Sequence, residues 1–152
     1  MAEKIVMNQQ KAVVRVSNDF ITSFHWEDNF RQAIDYVNNN SQKLFNKDRV
    51  NIEVISHSAG ASVAAWLAWE YPNITQLVLI NTAAKLQPER ILGGLGKYKN
   101  KAQLVYGSED PSIDFIQELP STFEVHTVQN ADLYFSGDHL ETFINLGDLL
   151  NQ

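Results

Sequence analysis

The chain has 152 residues, 44% hydrophobic and 20% charged, the make-up of a folded domain with a sizeable core rather than of a disordered segment. A formal net charge of −6 argues against nucleic acid as a partner, and the absence of cysteine excludes disulfides, thiol catalysis and thiolate-bound metal. No apolar run reaches membrane-spanning length, and Met1 to Phe20 lacks the basic flank and apolar core of a secretory leader, so a single soluble cytoplasmic domain over residues 1–152 is expected.

Strand and helix patterns alternate along the chain. Ile5 to Met7 and Ala12 to Val16 read as short strands on either side of a polar Asn8-Gln9-Gln10-Lys11 stretch. From Trp26 the apolar positions Trp26, Phe30, Ala33, Ile34 and Val37 recur at helical spacing, and the Asn38-Asn39-Asn40-Ser41 run weakens that helix or ends it. Ile52 to Ile55 is a strand, and Ala59 to Tyr71 a helix stopped near Pro72. Ile74 to Ile80 is too continuously apolar for a surface strand and reads as buried. Gly93-Gly94-Leu95-Gly96 reads as a plain flexible connection, since it has neither phosphate-loop spacing nor a following Lys-Ser/Thr. Strand Ala102 to Tyr106, helix Ser112 to Leu119, strand Phe123 to Val128 and helix His139 to Leu150 complete the series. Such alternation predicts a three-layer α/β sandwich with a mostly parallel sheet.

The sharpest signal is Ser56-His57-Ser58-Ala59-Gly60, where an apolar β-branched run meets an Ala-rich helical segment. A strand-to-helix turn this tight needs small residues two before and two after its centre, here Ser56 and Gly60. Held so, the Oγ of Ser58 projects from the strand's carboxyl end, and the Ala59 amide at the helix N-terminus can donate to a developing oxyanion. Further on, Val105-Tyr106-Gly107-Ser108-Glu109-Asp110-Pro111 sets an acid just after a strand. From about Val13 onward the chain resembles the α/β-hydrolase family, in a shortened form. In that resemblance Leu77 to Ala83 looks like the strand after the nucleophile helix, Gln103 to Asp110 like the acid-bearing strand, and Val125 to Phe135 like the last strand with the loop that carries the base. The resemblance implies that Ser58 is the nucleophile and Asp110 the orienting acid, with Glu109 the alternative.

Two departures stand out. The family commonly places a His after an Ala-Asp pair in the final loop, whereas this chain reads Asn130-Ala131-Asp132-Leu133 and its next His is His139. It also usually has a strand ending in His-Gly whose loop supplies a second oxyanion amide; none is legible here, and that donor is unassigned. The expected activity is hydrolysis of a small carboxylic ester or related acyl compound through an acyl-Ser58 intermediate, with His139 shuttling the proton. The alternative is a hydrolase-like binding or interaction protein that has lost catalysis.

The remaining candidates have simpler readings. His57 is expected to pack or hydrogen-bond locally, His126 to lie within a strand and His25 before a helix, and no histidine forms metal-ligand spacing with a carboxylate. No metal or other cofactor is expected. Trp26, Trp66 and Trp69 read as packing residues. Ala84 to Asn100 leaves no room for a helical lid, so the site should be open and shallow, suited to a small-molecule ester.

Overall fold

The computed structural model describes residues 1–9, 11–16 and 24–151. Its centre is a four-stranded, all-parallel sheet of β1 (Ile52–His57), β2 (Ile74–Ile80), β3 (Lys101–Gly107) and β4 (Glu124–Val128), ordered β1-β2-β3-β4. In register, His57 stands beside Ile80, Ile80 beside Val105 and Val105 beside His126, so the strands' carboxyl ends form one edge.

Alternation along the strands divides the core in two. Leu77, Leu79, Leu104 and Tyr106 face α2 (Phe24–Asn39), α4 (Ala59–Leu67) and α5 (Pro88–Lys97). Val78, Ile80 and Val105 face α1 (Ala2–Gln9), α6 (Leu140–Asn145) and the closing 3₁₀ turn Leu146–Asn151. These are the three layers read from the sequence. A short α3 (Ser41–Phe45) ends at Asn46 in the left-handed conformation. No helix among the described residues is long and apolar enough to cross a membrane.

The N-terminus departs from expectation. Ile5 to Met7 lies inside α1, because Met1 and Ile5, one helical turn apart, both pack against the C-terminal turn while Val6 and Met7 face solvent. Gln9 Nε2 fastens the end of that helix to the Gly147 carbonyl at 3.0 Å. Residues 12–16 form no strand: Val13, Val14 and Val16 are exposed, and β-forming side chains without a neighbouring strand to complete a ladder do not make one.

Gly93 to Gly96 is likewise not a loop but the body of α5. Pro88 starts that helix, and Ile91 and Leu95, four residues apart, are buried against α4. Gly94 is needed there because a Cβ would lie 2.0 Å from the Ala65 carbonyl oxygen. α5 therefore spends its apolar face in the core rather than over the strand ends. Ala59 to Tyr71 divides into α4 and a 3₁₀ turn at Ala68–Glu70; Ser112 to Leu119 is a 3₁₀ helix at Ile113–Glu118. His139 to Leu150 is α6 between two 3₁₀ turns, Gly137–His139 and Leu146–Asn151.

Candidate active site

Ser58 sits between β1 and α4 with φ 54° and ψ −123°, a conformation that L-residues rarely adopt. Its backbone is fully engaged. The amide donates to the Ile80 carbonyl at 2.9 Å, and the carbonyl accepts from Ala61 at 3.0 Å, Ser62 at 3.2 Å and Ala83 at 3.4 Å. Ser62 Oγ adds a bond to the Ala83 carbonyl at 3.0 Å, so the turn and the loop after β2 hold each other. Among the described residues the Ser58 hydroxyl makes no hydrogen bond. The Ala59 amide, first in α4, has no acceptor within its own helix and is left for a ligand or water.

Asp110 follows β3 in a turn closed by its amide donating to the Gly107 carbonyl at 3.1 Å. It is only 2% exposed, whereas its neighbour Glu109 is exposed. Oδ1 accepts from the Ser112 amide at 2.8 Å, but Oδ2 is buried with no partner. Burial pushes this carboxyl above the ordinary aspartate range; the Ser112 amide and the charge of nearby His57 pull it back. A cavity of about 300 Å³, lined in part by Ala84, Lys85, Pro111 and Ser112, opens beside this turn.

The final loop carries Asn130 and Phe135 at positive φ (59° and 52°) and Gly137 at 60°. Asp132 Oδ1 accepts from the amides of Tyr134 (3.0 Å) and Ser136 (2.9 Å), and these bonds hold its carboxyl below the usual range. Leu133, which stands where the family resemblance would put the base, is half-buried and turns its carbonyl inward. His57 Nε2 meets that carbonyl at 2.6 Å; a carbonyl only accepts, so Nε2 carries the proton. The His57 ring also packs edge-on against Phe143, centroids 5.6 Å apart, and Phe143 packs on Phe135 at 5.4 Å.

His139 is half-buried at the end of the Gly137–His139 turn, its amide bonded to the Ser136 carbonyl at 3.3 Å. It lies about one helical turn before Phe143, whose ring touches the residue preceding Ser58. Its own ring makes no hydrogen bond among the described residues, to Ser58 or to any other group. His126 is paired with Glu124 at 3.0 Å, and His25 is exposed on α2. No cluster of three or more His, Asp or Glu side chains that could hold a metal is present among the described residues. Trp66 is buried under the Arg90 guanidinium at 4.5 Å and Trp26 packs against the core, as read, whereas Trp69 is 40% exposed and lies under Lys97 at 4.4 Å.

Asn81 was not singled out from sequence, and the hydrogen bond of His57, expected to be local, is instead long-range. Asn81, fully buried at the end of β2 with φ 46°, and the long-range bond of His57 to a loop 76 residues away depend on where the final loop folds. The one local hint is an Asn directly after a buried strand, a residue that tolerates the left-handed conformation.

No protein-family model and no curated protein matches the sequence. Solved structures do. Est1E from Butyrivibrio proteoclasticus superposes with a TM-score of 0.64 at 18% identity, over 84% of this chain and 68% of its own. The esterase domain of a Rhodothermus marinus protein gives 0.61 at 14% identity, over 85% and 67%. Dienelactone hydrolase from Anabaena variabilis gives 0.65 at 18%, over 81% and 56%. The chain thus has the α/β-hydrolase fold in a shortened form, spanning between 56% and 68% of the length of these three structures.

Proposed function

We propose that the chain is a serine hydrolase of small carboxylic esters or related acyl compounds, working through an acyl-Ser58 intermediate. The observation that carries this reading is the backbone of Ser58. Holding a non-glycine residue at φ 54° and ψ −123° costs about 1–3 kcal/mol, and an ordinary strand-to-helix connection has no need of it. The conformation is what presents a hydroxyl above the strand ends beside an unpaired helix-terminal amide. An esterase domain and a dienelactone hydrolase among the fold neighbours support the same reaction class.

In this reading Ser58 Oγ attacks the acyl carbon while its proton passes to the His139 imidazole. The Ala59 amide donates to the oxyanion of the tetrahedral intermediate. Collapse breaks the ester C–O bond, the alcohol leaves with the proton, and water deacylates the serine by the same relay. Asp110 Oδ2, buried and unpartnered, is the oxygen available to accept from the imidazole of that base. With α5 packed into the core, no helix of that segment covers the site, which suits short soluble acyl groups.

A second reading, a binding or interaction protein without turnover, is favoured by one specific observation. The family's base position holds Leu133, and no imidazole is hydrogen-bonded to Ser58 among the described residues. Turnover of short- and long-chain p-nitrophenyl esters separates the two. The hydrolase reading expects cleavage of the acetate and little of the palmitate. It also expects loss of activity by several orders of magnitude in Ser58→Ala and about 10²–10⁴-fold loss in His139→Ala. Equal rates for wild type and Ser58→Ala would sink it.

A further inference from the structure

Asn81 takes no part in the acyl chemistry, yet its buried side chain is fully committed. Oδ1 accepts from the Gly107 amide at 2.8 Å, while Nδ2 donates to the carbonyls of Asp132 at 3.2 Å and Leu133 at 2.9 Å. Its own amide continues the ladder to the Val105 carbonyl at 2.8 Å. The Leu133 carbonyl is shared with His57, the residue before the nucleophile. One carboxamide on the end of β2 thereby joins the root of the acid turn after β3 to the final loop after β4, and through a shared acceptor to the end of β1.

The joint has no slack. A Cβ on Gly107 would sit 2.2 Å from the Ala131 carbonyl oxygen and 3.0 Å from that of Asp132, so the loop lies directly on the strand end. The Glu109 amide reaches the Ala131 carbonyl at 2.9 Å, and the Asn130 amide reaches Ser108 Oγ at 2.8 Å, on the outer side of the same contact. Those two bonds fasten the acid turn to the early part of the loop. Among the described residues only Asn81 reaches both the end of β3 and the carbonyls of Asp132 and Leu133.

We propose that Asn81 is a positioning residue for the Ser58 site, holding the acid turn and the final loop at the separation that the proton relay requires. The inference rests on the hydrolase reading above. Misplacement of reacting groups by about 1 Å can cost on the order of 10²-fold in rate, which sets the expected effect.

The test uses the full chain and two variants. Asn81→Gly removes the side chain without straining the folded backbone, because glycine accepts a positive φ freely. Asn81→Asp keeps the shape and the acceptor for Gly107 but turns a carboxylate toward two carbonyl oxygens. Turnover of p-nitrophenyl acetate, the rate of fluorophosphonate labelling and amide hydrogen exchange at Gly107 are measured on each. Both variants should lose about 10–100-fold in kcat and labelling rate with KM little changed. Gly107 exchange should accelerate in Asn81→Gly and stay slow in Asn81→Asp. If Asn81→Gly fails to fold, Asn81→Asp carries the comparison. Wild-type kcat in folded variants would overturn the positioning role while leaving the hydrolase reading intact. A wild type that neither turns over nor labels would overturn both.

Discussion

Replacing Ser58 by glycine removes the proposed nucleophile and relieves the backbone strain at the β1–α4 turn, so that strain can be weighed without any substrate. The reference is Ser58→Ala, which also lacks the hydroxyl but still carries a Cβ at φ 54° and ψ −123°. Loss of the hydroxyl itself costs little in either variant, because Ser58 makes no side-chain capping bond to α4. The strain is about 1–3 kcal/mol. Glycine's greater freedom in the unfolded chain offsets about 0.5–1 kcal/mol of that. Ser58→Gly should then be more stable than Ser58→Ala, by up to about 2.5 kcal/mol. At about 2–4 °C per kcal/mol for this chain length, its melting temperature should be higher by up to about 10 °C. Urea unfolding followed by tryptophan fluorescence suits the measurement, since Trp66 is buried on α4, the helix that begins right after Ser58. A glycine variant less stable than the alanine variant would mean that Ser58 sits in an unstrained turn, and the main structural support for a nucleophile would go.

Asp110→Asn should stabilise the protein at pH 7, because it removes a carboxylate charge whose burial is unfavourable in the folded state. Because the folded state raises this carboxyl above its ordinary 3.8, the native protein holds the proton more tightly. Stability from this group therefore falls as pH rises from the ordinary aspartate range through the raised value, and the variant's advantage should vanish below about pH 4; an advantage unchanged at low pH would contradict the assignment. Gly93 and Gly94 make a paired test of α5. A Cβ at Gly93 meets open space, so Gly93→Ala should gain about 0.5–1 kcal/mol of helix propensity. Gly94→Ala forces a Cβ onto the Ala65 backbone and should cost about 3 kcal/mol or more, both read by urea denaturation.

Much of this was legible in the sequence because it is written locally. The Ile52 to Gly60 stretch contains its own strand, small-residue turn and helix, and the backbone at Ser58 follows from that crowding. The continuous apolar run of β2 and the acid after β3 are equally local. What failed depended on distant partners. Ile5 became helical because the C-terminal turn offered a surface for one helix face, and Val13 to Val16 lacked a strand to pair with among the described residues. Gly94 was misread since its purpose lies in the Ala65 backbone it approaches. The Asn81 and His57 bonds to Leu133 were invisible for the same reason: their acceptor is a main-chain carbonyl, and its position depends on three positive-φ residues in the final loop. The resemblance read from the sequence implied a histidine where Leu133 stands, but nothing local showed what the backbone there would hold.

The central claim is that Ser58 is a nucleophile, and labelling by a fluorophosphonate, read by mass spectrometry of the intact chain and its peptides, tests it most directly. A single adduct on the peptide carrying Ser58, absent in Ser58→Ala and strongly slowed in His139→Ala, is the predicted result. A wild type that stays unmodified while Leu133→His acquires the adduct would contradict it, and would identify a hydrolase fold whose relay ends at Leu133.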